Sequence, residues 1–254
     1  MAIITIHREK CTRCGMCAAV CPGRLIAQPS KKDFPAPVPE AEEFCIDCGH
    51  CQACCPRDAL SLASMPWADC PIIDADGLPS PDSVRLLMQA RRSIRVYKKK
   101  PVPKRIIAEL IDTARFAPTG SNKQPVHWTA ISRPDDVQKL AALTVEFIRE
   151  MLPLAADEAT AKRFRRLIGA WDRGIDRVMR GAPHLIVVSC PPEISFPAAD
   201  CATALAYLEL FAFSRGLGTC WAGYFTAAAT VHQPIIDFLA MPSGHQCHGA
   251  VMLG

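Results

Sequence analysis

The sequence predicts a chain of mixed helices and strands in two unequal parts. Two observations carry this. The first quarter contains a four-cysteine run, Cys11-x2-Cys14-x2-Cys17-x3-Cys21-Pro22, which recurs as Cys45-x2-Cys48-x2-Cys51-x3-Cys55-Pro56. The remainder alternates amphipathic, helix-period segments with short apolar runs of strand length. Between them, Met65 to Pro81 is rich in Pro and Asp and reads as a linker. Domains are therefore expected at 1–64 and 83–254, with 65–82 joining them.

The doubled run has the spacing of a bacterial-type ferredoxin with two [4Fe–4S] clusters. A cubane needs four thiolates. Three come from one tight loop, because Cys-x2-Cys-x2-Cys turns each sulfur toward a common centre. The proline after the fourth cysteine turns the chain away, so that cysteine ligates the other cluster. Cys11, Cys14, Cys17 and Cys55 are thus expected on one cluster, and Cys45, Cys48, Cys51 and Cys21 on the second. Zinc sites pair two Cys-x2-Cys knuckles and have no use for a third cysteine at the same step. A disulfide framework does not suit a chain with no apolar leader and ample length for an ordinary core. Cys54 is adjacent to Cys55, but the x3 spacing and Pro56 select Cys55. Cys54 and Cys70 are expected off the iron. Over residues 1–64 the pairing resembles the two-cluster ferredoxins.

The elements follow in order. Ile3–His7 alternates as a strand, and Ala59–Ala63 reads as its partner. Gln28 to Glu43, with Pro29, Pro35, Pro37 and Pro39, is a connector without an element. In the second part, helices are expected over 83–91 (capped by Asp82 or Ser83), 104–116, 134–151, 158–180, 198–215 and 234–239. Strands are expected over 126–132, 185–190, 219–224 and 247–253. The helix at 198–215 is apolar nearly all round, which marks it as buried, and Gly216 ends it.

Half of the 254 residues are apolar, enough for a sizeable core. The net charge of +4 counts cysteines as neutral and omits bound anions, so it does not point to nucleic acid. The longest apolar segment, Cys201 to Phe213, is too short to span a membrane and contains Glu209. Fourteen cysteines without a leader point to the reducing cytoplasm.

A second constellation lies in the larger part. Arg91-Arg92-Ser93-Ile94-Arg95 offers several cations and a hydroxyl within one turn, which suits either a phosphate clamp or a solvated basic run. Ala117-Pro118-Thr119-Gly120-Ser121-Asn122-Lys123-Gln124-Pro125 is a loop of backbone N–H groups and amides suited to a flat ring edge. Gly216-Leu-Gly-Thr-Cys-Trp-Ala-Gly-Tyr224 brings small residues that permit close backbone approach. In this order the three segments resemble the FMN-dependent nitroreductase family over residues 83–254, and the whole chain resembles a ferredoxin–nitroreductase fusion.

The resemblance implies an α+β fold, a mainly antiparallel sheet flanked by helices, in an intertwined homodimer. It implies FMN held by Arg91, Ser93 and Arg95 at the phosphate and ribityl chain, with Arg92 as a neighbour. Pro118, Thr119, Asn122 and Gln124 match the loop that reaches the flavin. Cys220, Trp221 and Gly223 match the segment over the ring. Family members continue past the last strand with a tail bearing a further basic phosphate contact. This sequence stops at Gly254, so the tail lies beyond it or the phosphate is held without one.

Together these readings give an iron–sulfur flavoprotein oxidoreductase that passes electrons from two clusters to FMN and on to an electron-poor small molecule such as a nitroaromatic or quinone. NAD(P)H or an external low-potential carrier supplies the electrons. No protein nucleophile or acid is required, since the cofactors carry the chemistry. Two alternatives share this cofactor set: a module feeding electrons to a protein partner, and specialised flavin chemistry such as reductive dehalogenation. A zinc-stabilised binding protein is the third. Cys190 and Cys201 read as core, His127 as packing, and His245, Cys247 and His248 as exposed loop and strand end rather than ligands.

Overall fold

The computed structural model describes residues 3–28 and 30–254; Pro29 of the expected connector lies outside them. The chain folds into two compact units, residues 1–78 with 121–123, and residues 79–120 with 124–254.

In the first unit β1 (Ile4–Ile6) pairs antiparallel with β4 (Leu60–Leu62), joining the two ends of the cysteine-rich stretch. Between them lie α1 (Met16–Val20), β2 (Ile26–Ala27), β3 (Ala36–Pro37), α2 (Ala41–Phe44) and α3 (His50–Ala53). The connector expected as plain loop is therefore partly structured: Ala36–Pro37 pairs with Ile26–Ala27, and a helical turn follows. Two-residue pairs of this kind leave no periodicity to read in sequence. A small core of Ile4, Cys17, Ile26, Cys51, Leu60 and Leu62 holds the unit. So few buried side chains contribute little by themselves, as is usual for small units stapled by a cofactor.

The segment that composition marks as linker is bound to this unit. The buried Gln52 amide accepts from Leu62 N–H (2.7 Å) and donates to the Met65 carbonyl (2.8 Å) and Cys70 Sγ (3.4 Å). Trp67 Nε1 donates to the Leu60 carbonyl (3.0 Å).

The second unit comprises α4 (Pro81–Ala90), α5 (Lys104–Ala114), β5 (His127–Ile131), α6 (Pro134–Met151), α7 (Glu158–Trp171), β6 (His184–Cys190), α8 (Pro197–Ser214), β7 (Thr219–Trp221), α9 (Gly223–Ala229), α10 (Gln233–Leu239) and β8 (Gln246–Leu253). The sheet order is β5-β6-β8-β7, and every pairing is antiparallel. All seven residues of β6 are buried, because helices cover both faces. Side-chain alternation sorts them: Leu185 and Val187 join the core under α6, α7, α9 and α10, whereas Ile186, Val188 and Cys190 join the core under α5 and α8. The fold is thus the α+β architecture expected.

Three elements differ from the sequence reading. The α4 helix starts earlier, with Ser80 as its cap: the hydroxyl accepts from Ser83 N–H, and Pro81 takes the first turn. The long basic helix expected to Arg180 ends at Trp171. Gly174 adopts φ +76°, and the Asp176 carboxylate then collects the N–H groups of Val178, Met179 and Gly181. The extended run expected to Tyr224 stops at Trp221, and the alanine-rich stretch after it coils into α9.

Candidate functional site

In the first unit the two cysteine runs build equivalent loops. Positive φ occurs at Arg13, Gly15 and Arg24 in one half and at Asp47, Gly49 and Asp58 in the other, the same offsets from Cys11 and Cys45. Such left-handed residues curl the chain so that backbone N–H groups face inward. Several reach sulfur: Arg13 N–H to Cys11 Sγ (3.4 Å), Leu25 N–H to Cys21 Sγ (3.3 Å) and Ala59 N–H to Cys55 Sγ (3.2 Å). The last two are again symmetry mates.

Two cavities result. One is lined by Cys11, Cys14, Cys17 and Cys55, the other by Cys21, Cys45, Cys48 and Cys51. Each takes three thiols from one run and the fourth from the other run. The Cys51 thiol is pushed up to about 11 by burial, and Cys48, Cys21 and Cys45 add to the shift. Four mutually repelling thiolates need a cationic centre among them, and N–H···S bonds favour their charged form. Cys54 lines neither cavity; its thiol bonds the Cys51 carbonyl (3.5 Å). It lies near Cys17, whose thiol is raised first by burial, with Cys54, Cys14 and Cys11 adding. Cys70 is held by Gln52 beside the second loop.

In the second unit α4 ends at Arg91, whose guanidinium faces the buried Glu209 carboxylate of α8 (3.6 Å). Arg92 and Arg95 are exposed and bond nearby carbonyls, of Gln89 and Arg91 and of Ser93 respectively. Neither is ion-paired among the described residues. Ile94 is locked against β7: its N–H donates to the Thr219 carbonyl (2.8 Å), and its side chain fills the space a Cβ on Gly218 would take. The Arg-Arg-Ser-Ile-Arg stretch and the Gly-Leu-Gly-Thr-Cys-Trp stretch, far apart in sequence, are therefore adjacent. Cys220 and Trp221 alternate along β7: the thiol turns into the core, and Trp221 is 40% exposed.

The third predicted segment divides. Ala117 is buried, Pro118 is exposed, and Thr119 Oγ1 accepts from Gln124 N–H (3.0 Å). Gly120 N–H donates to Asp200 of α8 (3.0 Å). Asn122 belongs to the first unit, where Nδ2 donates to the carbonyls of Ile46 (3.1 Å) and Asp47 (2.9 Å). Gly223 opens α9 with free space where a Cβ would stand.

No sequence motif marks Asp200 or Glu209 as a site residue. Both are buried, on a helix otherwise apolar. That contrast was the available signal, since a buried carboxylate requires partners. At ~100° per residue the two lie on opposite sides of α8. His245 stacks edge-on against the exposed His127 (5.9 Å), and Ser189 Oγ lies 3.3 Å from its Nδ1. Cys247, expected near an exposed strand end, is buried, and burial pushes its thiol up to about 11. Among the described residues no three His, Cys, Asp or Glu side chains surround a single point as one metal ion requires.

The second unit is thus a four-stranded antiparallel sheet between helix layers with the basic stretch held against β7, and a thiol-lined unit precedes it in sequence. Residues 88–254 match the Nitroreductase family model, so the chain belongs to the nitroreductase family, and residues 10–60 match the 4Fe-4S dicluster domain. It is thus a ferredoxin–nitroreductase fusion. The chain is 27% identical over 198 residues to the 4-nitrobenzoate reductase of Pseudomonas putida, covering 68% of this chain and 85% of that one. It is 25% identical over 131 residues to the iodotyrosine deiodinase of Danio rerio, covering 52% and 43%. A nitroreductase from Bacteroides fragilis, solved with bound FMN, superposes with a TM-score of 0.54 at 25% identity, covering 67% of this chain and 87% of that one. Among the described residues no helix is long and apolar enough to cross a membrane.

Proposed function

We propose that the chain is an iron–sulfur flavoprotein that passes electrons from two [4Fe–4S] clusters to FMN and on to an electron-poor small molecule, a nitroaromatic or quinone. The observation that carries the reading is the crossed thiol arrangement, three cysteines of one run and one of the other around each cavity. Cys11, Cys14, Cys17 and Cys55 would hold one cluster, and Cys45, Cys48, Cys51 and Cys21 the other. A cubane corner set surrounds a cavity; a zinc ion would draw its four sulfurs to about 2.3 Å from one point.

The donor set of the second unit fits FMN. Arg92 and Arg95 have no carboxylate partner among the described residues and suit a phosphate dianion, with Arg91 and Ser93 beside them. Of the expected loop residues, Pro118, Thr119 and Gln124 lie in this unit and Asn122 in the first; Trp221, Gly223 and the backbone at Cys220 are the ring-side residues. When bound, the clusters supply single-electron transfer and the flavin supplies the hydride chemistry. The protein holds, orients and shields them; Arg95 would favour a reduced, anionic ring electrostatically.

The α8 helix supports a homodimer. Apart from Asp200 and Glu209 it is largely apolar, yet Ala206 and Tyr207 are exposed, and α4 exposes Leu86 and Met88. A second copy would cover these. Fourteen thiols, none in a disulfide among the described residues, suit the reducing cytoplasm.

The test is anaerobic reconstitution with iron, sulfide and FMN. The reading expects roughly eight iron and eight sulfide per chain, flavin absorption bands, and reduction of a nitroaromatic or quinone when dithionite-reduced ferredoxin or NAD(P)H is supplied. A colourless protein that binds zinc alone refutes it. Reductive dehalogenation is the second reading, supported by the likeness to the deiodinase. Halide release from an iodophenol by the same preparation would select it. Reduction of a protein acceptor without turnover of small molecules would instead select the electron-transfer module.

A further inference from the structure

Glu209 is placed where it joins motifs that the sequence keeps apart. Its side chain is 8% exposed and lies on α8. Thr219 Oγ1 donates to Oε1 (2.8 Å) and Trp221 Nε1 donates to Oε2 (2.8 Å). Arg91 Nη1 stands 3.6 Å from Oε1. A buried carboxylate is costly to desolvate, and these three partners offset that cost. One of them opens the basic stretch, and the other two flank Cys220 on β7.

The arrangement is more than a satisfied core acid. Arg91 keeps most of its five donors, and its side chain is 31% exposed. The pair distance is loose for a direct bidentate clamp, so Glu209 fixes where the guanidinium points without consuming it. The neighbouring Ile94–Thr219 backbone bond and the absent Cβ of Gly218 lock the two stretches at a second point. Charge and packing therefore set the same spacing between Arg91 and Trp221.

We propose that Glu209 is a positioning residue of the flavin site: through Arg91 it aims a cation at the phosphate, and through Trp221 it ties that end to the ring-side segment. This rests on the flavin reading above. Glu209→Gln keeps the shape and an acceptor but removes the charge that aims Arg91. FMN and riboflavin binding to the full chain with its clusters are then compared, since riboflavin lacks the phosphate.

An arginine no longer held before binding must be ordered on binding, a loss of roughly three- to tenfold. FMN affinity should fall by that factor in Glu209→Gln, riboflavin affinity should stay within about twofold, and the effect should vanish in an Arg91→Ala background. A role confined to stability would weaken both flavins equally, and that result overturns the proposal. So does tighter FMN binding, which would make Glu209 a competitor of the phosphate for Arg91. Should Glu209→Gln not fold, Thr219→Val removes one anchor of the carboxylate and is read by the same FMN-to-riboflavin ratio. If the wild-type chain binds neither flavin, the flavin reading falls and this role with it. If it binds FMN and the ratio does not move, the positioning role alone falls.

Discussion

Gly218→Ala tests the contact that brings the basic stretch against β7. Gly218 has no left-handed backbone, so alanine carries no conformational penalty there. The obstacle is space: an added Cβ would stand 2.8 Å from both Ile94 Cβ and Cγ2 and 2.9 Å from Cγ1. These atoms sit at the branch point of a β-branched side chain and cannot swing away as a flexible tip would. Overpacking of this kind costs about 1–3 kcal/mol. If the Ile94 segment moves to relieve it, the Ile94 N–H to Thr219 bond is lost, adding about 1 kcal/mol. The sum is about 2–4 kcal/mol, and a unit of this size should lose roughly 5–15 °C in its melting temperature. The assay is thermal unfolding of the second unit followed by tryptophan emission, with FMN binding alongside. Gly216→Ala is the contrast: it has open space but φ +72°, so its cost is backbone strain of about 1–2 kcal/mol without displacement of Ile94. A Gly218→Ala protein that melts within a degree of wild type and binds FMN normally would refute the reasoning.

Three further outcomes are expected. Gln52→Ala strands the buried Leu62 N–H and frees the Met65–Cys70 tail; at about 1–3 kcal/mol per lost partner, cluster absorbance should bleach at lower urea than in wild type. Cys55→Ser should lower iron content by roughly four per chain, whereas Cys54→Ser should leave it unchanged, as iron and sulfide analysis would show. His184 is buried and accepts the Val102 N–H through Nε2 (2.7 Å), and burial holds its pKa below the usual histidine value. Its neutral form is the native one, so its contribution is intact above pH about 6.5 and falls as pH drops toward the folded pKa, by up to about 1.4 kcal/mol per unit. Urea denaturation of the second unit at pH 7.5 and 5.5 should show this difference, and His184→Gln should shrink it.

The cysteine runs were legible because cluster chemistry is written locally: fixed spacing, a following proline and a repeat offset. The long helices at 104–114 and 134–151 were legible from one-sided periodicity. The two-residue pair at Ile26–Ala27 and Ala36–Pro37 was not, since its pairing comes from tertiary closure. Nor was the end of α7 at Trp171, because Asp176 competes for the N–H groups that a longer helix would use.

By itself, then, the sequence determined which residue types could meet: thiols in cubane spacing, arginines beside a hydroxyl, small residues before Trp221. Only the tertiary structure decided which of them are brought together. It pinned Ile94 to Gly218, and turned Cys220 inward and Trp221 outward. It also gave Glu209 its partners from two distant stretches. The reason is physical: a buried carboxylate or a missing Cβ has meaning only through its neighbours, and neighbours across a sheet are set by packing rather than by chain order.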